Sequence, residues 1–155
     1  MYHIDSGKIK PSKSLQDSLT NMLKGKPEFT LLDEQKVTYE KALAIAKENS
    51  ARKQVYIIHG GPGTGKTVIA VNMLVELINR DKITIYVTKN SAPREVYQKK
   101  LTDGGYKKVY INNLFKGSGV FINANENDFD CIIVDESHRL NAKSECIENK
   151  WRKSN

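Results

Sequence analysis

His59-Gly60-Gly61-Pro62-Gly63-Thr64-Gly65-Lys66-Thr67 follows directly on the apolar run Val55-Tyr56-Ile57-Ile58. It fits the phosphate-loop pattern Gly-x-x-x-x-Gly-Lys-[Ser/Thr], and the residues around it predict the strand–loop–helix setting that the motif needs. Glycines at 60, 61, 63 and 65 let the backbone turn tightly and approach a polyphosphate without a Cβ in the way. Successive N–H groups can then form an anion nest at a helix N-terminus, where the helix dipole also favours negative charge. Lys66 is expected to reach the β- and γ-phosphates, and the Thr67 hydroxyl to hold Mg²⁺. Gly61, Pro62, Gly63, Thr64, Gly65, Lys66 and Thr67 are therefore the candidate residues for a nucleoside triphosphate. A glycine turn ending by chance in Lys-Thr is the alternative, and the apolar run in front of it argues against that.

Downstream, Cys131-Ile132-Ile133-Val134 reads as a buried strand that ends in Asp135-Glu136-Ser137-His138. Open α/β sheets bind ligands at the carboxyl ends of their strands. Asp135 is thus a candidate for holding Mg²⁺ indirectly, through one of the ion's ligands, opposite Thr67, and Glu136 for polarising an attacking water. Read alone, the two acids are equally an ordinary strand-end turn. Paired with a phosphate loop, they complete one site.

Between and around these motifs, the pattern alternates helices and strands. Asp33 can cap a helix, with Leu32 and Val37 as a hydrophobic staple and Tyr39, Leu43 and Ala46 on one face. The segment from about Lys66 to Arg80 carries Ile69-Met73-Leu77 and Ala70-Leu74-Ile78 as a broad apolar stripe for packing on a sheet. Further strands are predicted at Ile83-Thr84-Ile85-Tyr86-Val87 and Val109-Tyr110-Ile111. A helix opening at Ser91-Ala92-Pro93 and closing at Gly104-Gly105 lies between those strands. Residues 112–130 read as a functional loop with a small strand at Val120-Phe121-Ile122. Non-alternating β-branched strands separated by helices imply a parallel sheet covered on both faces. Leu15, Leu19 and Met22 mark a short amphipathic helix before this core.

With 155 residues, the chain has room for one domain and its core. Its hydrophobic content of 39% and charged content of 28% are those of a soluble globular protein. No apolar run is long enough to span a bilayer and no signal-type segment opens the chain, so no membrane partner and a cytoplasmic location are expected. Cys131 and Cys146 have no further ligands at metal spacing, and Cys131 reads as a buried thiol. A net charge of +7 suits a phosphate-backbone partner, although a solvated basic face explains it equally well.

The pairing of Gly-x-x-x-x-Gly-Lys-Thr with Asp-Glu-Ser-His resembles the Walker A and DExH-type Walker B motifs of nucleic-acid-dependent ATPases. More specifically, five collinear stretches resemble the bacterial Schlafen group 3-like DNA/RNA helicase domain, with superfamily 1-like character. They are Leu31-Leu32-Asp33-Glu34-Gln35, residues 60–67, Tyr86-Val87-Thr88-Lys89-Asn90-Ser91-Ala92-Pro93-Arg94, Asn113-Leu114-Phe115-Lys116-Gly117-Ser118-Gly119, and Val134-Asp135-Glu136-Ser137-His138-Arg139-Leu140. The resemblance implies an α/β, three-layer, RecA-like P-loop NTPase core at 31–140. It leaves an N-terminal helical extension at 1–30 and a C-terminal tail at 141–155. It implies ATP and Mg²⁺ as cofactors and single-stranded DNA or RNA as partner. It also makes Lys66 and Glu136 catalytic. Gln35 falls where such motors keep an adenine-reading glutamine, though a solvated glutamine at a helix start also fits. Thr88, Asn90 and Arg94 match a backbone-contacting segment, since their polar groups can bond phosphate oxygens without reading sequence. His138 would couple the ATP site to the polymer surface.

Related motors continue with a sensor strand and a second RecA-like domain that carries an arginine finger. This sequence stops fifteen residues after Leu140, which predicts a core truncated after the Walker B strand. An arginine finger contributes about 10³–10⁵ in rate where one is used. Nucleotide binding with slow hydrolysis, and no unwinding by the isolated chain, is therefore expected. The partner would be a second RecA-like domain, in the parent protein or in trans. A nucleotide-gated binding module without turnover is the competing expectation.

Overall fold

The computed structural model describes residues 4–5, 8–9, 20–21, 29–48, 52–89, 95, 98–99, 112–117, 119, 121 and 124–140. The first strands, β1 (Ile4–Asp5) and β2 (Lys8–Ile9), pair antiparallel with each other. Helix α1 spans Asp33–Lys47 and helix α2 spans Lys66–Asn79. A parallel sheet then joins β3 (Thr84–Thr88), β4 (Phe115–Lys116) and β5 (Cys131–Asp135), in the order β4-β3-β5. The chain is an α/β protein with a small parallel sheet.

Helix α1 begins one residue earlier than its capping signal suggests. Leu32, not Asp33, is the N-cap, and its N–H donates to Gln35 Oε1 at 3.0 Å. Asp33 and Glu34 then fall in the first turn, where their charge complements the helix dipole. Leu32 and Val37 are both exposed, so the predicted staple adds nothing to the core. The buried face is Ala42 and Leu43, flanked by Tyr39 and Ala46.

Helix α2 is apolar over most of its circumference, and the structure splits that surface between two neighbours. Ile69, Met73 and Leu77 pack with Ala42 and Leu43 of α1. Val71, Leu74, Val75 and Ile78 pack with Phe29, Tyr86, Leu114 and Phe115 on the sheet side. The single stripe predicted for a sheet is therefore two stripes, one of which serves a helix. Val71, Leu74, Leu77 and Ile78 are completely buried, and each such side chain contributes about 1.5–3 kcal/mol. The helix stops in a Schellman arrangement, with Asp81 N–H on the Ile78 carbonyl and Lys82 N–H on that of Leu77. Asp81 takes the left-handed position that this ending requires, at φ 58°.

Strand β3 is central and buried at all five positions. Its register with β5 runs from Thr84 opposite Cys131 to Thr88 opposite Asp135. Asp130 closes the starting end of that pair: its N–H donates to the Ile83 carbonyl, and its Oδ2 accepts from the Ile83 N–H at 2.7 Å.

Several expectations need correction. Val55-Tyr56-Ile57-Ile58 forms no strand: Val55 is 85% and Ile57 66% exposed, and only Ile58 packs on the α1–α2 cluster. An apolar β-branched run becomes a strand only when a ladder partner is beside it. The third strand of the sheet is Phe115–Lys116, inside the predicted loop, where two residues complete the β3 ladder. Phe121, by contrast, lies in a 3₁₀ turn rather than a small strand. The sheet is not covered on both faces throughout, because Ile132 and Val134 of β5 are 45% and 38% exposed. The predicted strand at 109–111, the tail, and most of both the helix opening at Ser91 and the amphipathic stretch at 15–23 lie outside the described residues; Thr20 and Asn21 of that stretch are helical. Among the described residues, no helix is long and apolar enough to cross a membrane.

Candidate functional site

The 60–67 loop leads into α2 through Gly65, the N-cap, at φ 82°. A side chain at 65 would meet two obstacles, since its Cβ would also overlap the Gln35 amide. Glycine is the residue that both the turn and the close approach allow. Gln35 reaches the loop from the first turn of α1, its Nε2 donating to the Thr64 carbonyl at 3.0 Å. With its Oε1 on Leu32, the amide braces loop and helix together. Thr64 Oγ1 donates to the Gly61 carbonyl at 2.9 Å. The Lys66 ammonium donates to the carbonyls of Gly60 and Gly61, at 2.8 and 2.7 Å. Gly63 takes φ 75°, and Pro62 sits exposed at the tip of the loop.

The loop and the end of β5 meet. Thr67 Oγ1, in the first turn of α2, donates to Asp135 Oδ2 at 3.0 Å across 68 positions of sequence. The Tyr86 hydroxyl donates to the same oxygen at 2.5 Å. Asp135 is only 6% exposed and Tyr86 is fully buried. A carboxylate so enclosed needs hydrogen-bond donors, and a buried phenol needs an acceptor. Register explains the meeting: Tyr86 lies opposite Ile133, and Asp135 is two residues further along on the same face.

Glu136 leaves the strand in the left-handed conformation at φ 54°. For a residue with a side chain this is a strained state of the kind that gathers at functional sites. The turn continues into a 3₁₀ helix at Ser137–Arg139, and His138 Nε2 lies 3.2 Å from Glu136 Oε2. Asp135 and Glu136 are thus adjacent acids with different surroundings, one clasped by two hydroxyls and the other beside an imidazole. Thr88, opposite Asp135, is 1% exposed. Asn90 and Arg94 lie outside the described residues.

At the far end of β5, burial pushes the Cys131 thiol up, and the Asp130 carboxylate adds to the rise. Such a thiol is a poor nucleophile. Burial also raises the Tyr39 phenol, with Glu76 contributing. Among the described residues, no group of three or more His, Cys, Asp or Glu side chains could hold a metal.

Two features of the site were not anticipated from sequence. Tyr86 is one; its signal is a lone polar-tipped ring in an otherwise β-branched strand, on the parity of Thr84 and Thr88. The brace from Gln35 to the loop backbone is the other, and no local pattern announces a contact between residues so far apart.

Residues 53–155 match the family described as Schlafen group 3, DNA/RNA helicase domain. The chain belongs to that family. The match covers the 60–67 loop, the whole sheet and the Asp135–His138 turn, while α1 with Gln35 lies upstream of it. No curated protein and no solved structure matches the chain. Membership in the Schlafen group 3 helicase domains ties this α/β core to helicase-related work on nucleic acid.

Proposed function

We propose that this chain is the ATP-binding part of an ATP-dependent DNA/RNA helicase or translocase with a RecA-like P-loop core. One observation carries the reading: the 3.0 Å hydrogen bond from Thr67 to Asp135 joins the glycine loop and the strand-end acid in one place. The donor set also suits the cation. A hydroxyl and a carboxylate in contact are hard oxygen donors, and Mg²⁺ is usually held by one or two carboxylates together with substrate phosphates and water. Thr67 and Asp135 would hold Mg²⁺, which when bound neutralises charge on the β- and γ-phosphate oxygens.

The chain's own groups supply the rest. Loop N–H groups and the start of α2 receive the phosphates. Lys66 exchanges the carbonyls of Gly60 and Gly61 for β- and γ-phosphate oxygens, moving a positive charge from loop to ligand. Glu136 orients a water and accepts its proton, with His138 beside it to sense the polymer-binding side. Gln35 keeps one N–H and one lone pair beyond its two hydrogen bonds, enough to read an adenine edge while bracing the loop. Asn90 and Arg94, beyond β3, would contact the backbone of single-stranded DNA or RNA, and a second RecA-like domain would complete the motor.

The test is binding of a fluorescent ATP analogue together with phosphate release. Lys66→Ala is expected to abolish binding. Glu136→Gln is expected to keep binding and lose turnover, and equal loss of binding in both variants would argue against these roles. Release of phosphate stimulated by single-stranded nucleic acid separates a motor from a binding module that does not turn over.

A further inference from the structure

Tyr86 stands in the middle of the central strand with its ring fixed on several sides. Phe115 packs tilted against it at a centroid distance of 5.5 Å, and Val71, Leu74 and Leu114 share its cluster. A fully buried tyrosine has only two side-chain torsions, so its hydroxyl is set by core packing rather than by solvent. That hydroxyl points at the one carboxylate on which the Thr67–Asp135 contact depends.

Both donors use Oδ2, and Oδ1 accepts no hydrogen bond from a described residue. The two donors differ in kind. Thr67 sits in the first turn of a helix at the loop, and its hydroxyl lone pairs are what a cation would use. Tyr86 belongs to the sheet, and its ring is held by the core. When Thr67 turns its oxygen to a cation, Tyr86 remains to hold the carboxylate in place.

We propose that Tyr86 is a positioning residue for the magnesium site: its hydroxyl fixes the Asp135 carboxylate through Oδ2 and leaves Oδ1 for the cation or its water. This rests on the assignment of Thr67 and Asp135 to Mg²⁺. Groups that orient metal-binding side chains through hydrogen bonds commonly change metal affinity by 10-fold or more when removed.

The experiment titrates Mg²⁺ against a fluorescent ATP analogue on the full chain and reads binding rather than turnover. Mn²⁺ binding by electron paramagnetic resonance serves as an independent readout. Tyr86→Phe keeps the ring and removes the hydroxyl. It is expected to raise the half-saturating Mg²⁺ concentration about 10-fold, with analogue affinity at saturating Mg²⁺ unchanged. Phe115→Leu, which loosens the ring but keeps the hydroxyl, is expected to shift the same curve by less, and it decides the matter should Tyr86→Phe not fold. A purely structural tyrosine would lower the melting temperature and leave the Mg²⁺ curve on that of the parent protein, which overturns the proposal. Asp135→Asn separates the two levels. A Mg²⁺ curve insensitive to Asp135→Asn sinks the metal assignment itself, whereas a curve that moves with Asp135→Asn but not with Tyr86→Phe sinks only the role of Tyr86.

Discussion

Thr84–Thr88 and residues 55–58 are two β-branched runs, each with one tyrosine, on either side of α2, and they end in opposite states. The first is buried at every position and has parallel partners on both edges. The second has Val55 and Ile57 exposed and anchors through Ile58 alone. Their composition is nearly the same. What differs is the company: β3 gains β4 on one edge and β5 on the other, and its inner face meets α2. Strand character in this protein belongs to the assembly of ladders more than to the residues themselves.

The comparison is easiest to break with matched truncations. Ile85→Ala in β3 is expected to cost about 2–5 kcal/mol in chemical denaturation, as for other buried isoleucines. Ile57→Ala should stay within about 0.5 kcal/mol, the range of surface substitutions. Equal costs would mean that residues 55–58 are packed far more tightly than their exposure implies. Hydrogen exchange sharpens the contrast without mutation. Amides of Ile85, Tyr86 and Val87 should exchange only through global opening, whereas those of Val55 and Ile57 should exchange in the earliest time points. Protection at 55–57 that appears when ATP and Mg²⁺ are added would show that ligand recruits this segment.

The smallest effect concerns pH. Cys131 and Tyr39 both flank the α1–α2 cluster, and both keep their protons longer folded than unfolded. The unfolded chain therefore loses protons first as pH rises through the ordinary thiol and phenol values of 9.0 and 10.0. Stability should fall from about pH 9 upward until the folded groups titrate, with no change from these two below that window. Cys131→Ala should flatten the thiol part of the decline, as measured by denaturation midpoints at pH 8 and pH 10.

Much of this was legible because the signals are local. The periodicity of α1 and α2, the glycine loop and the apolar run ending in two acids each carry their own evidence within a few residues. The family resemblance added Gln35 and the collinear order of the motifs. What escaped was non-local. Phe115–Lys116 is a strand only because β3 lies beside it, and residues 55–58 are none for want of such a neighbour. The two stripes of α2 cannot be told apart before α1 is known to lie on one of them. Tyr86 is meaningful only once its register against Ile133 and Asp135 is fixed.

That alignment is decided well away from the place that depends on it. Asp130 clasps Ile83 at the opposite end of the strand pair, about 16 Å from the carboxylate at about 3.3 Å per residue. Parity then transmits the setting: a shift by one position would carry Asp135 to the side of Ile132 and Val134, out of reach of Thr67 and Tyr86. An exposed aspartate at the other end of the strand pair thus acts as the gauge against which the acidic tip is aligned. Loosening it would misdirect the tip while every group around the loop stayed chemically intact.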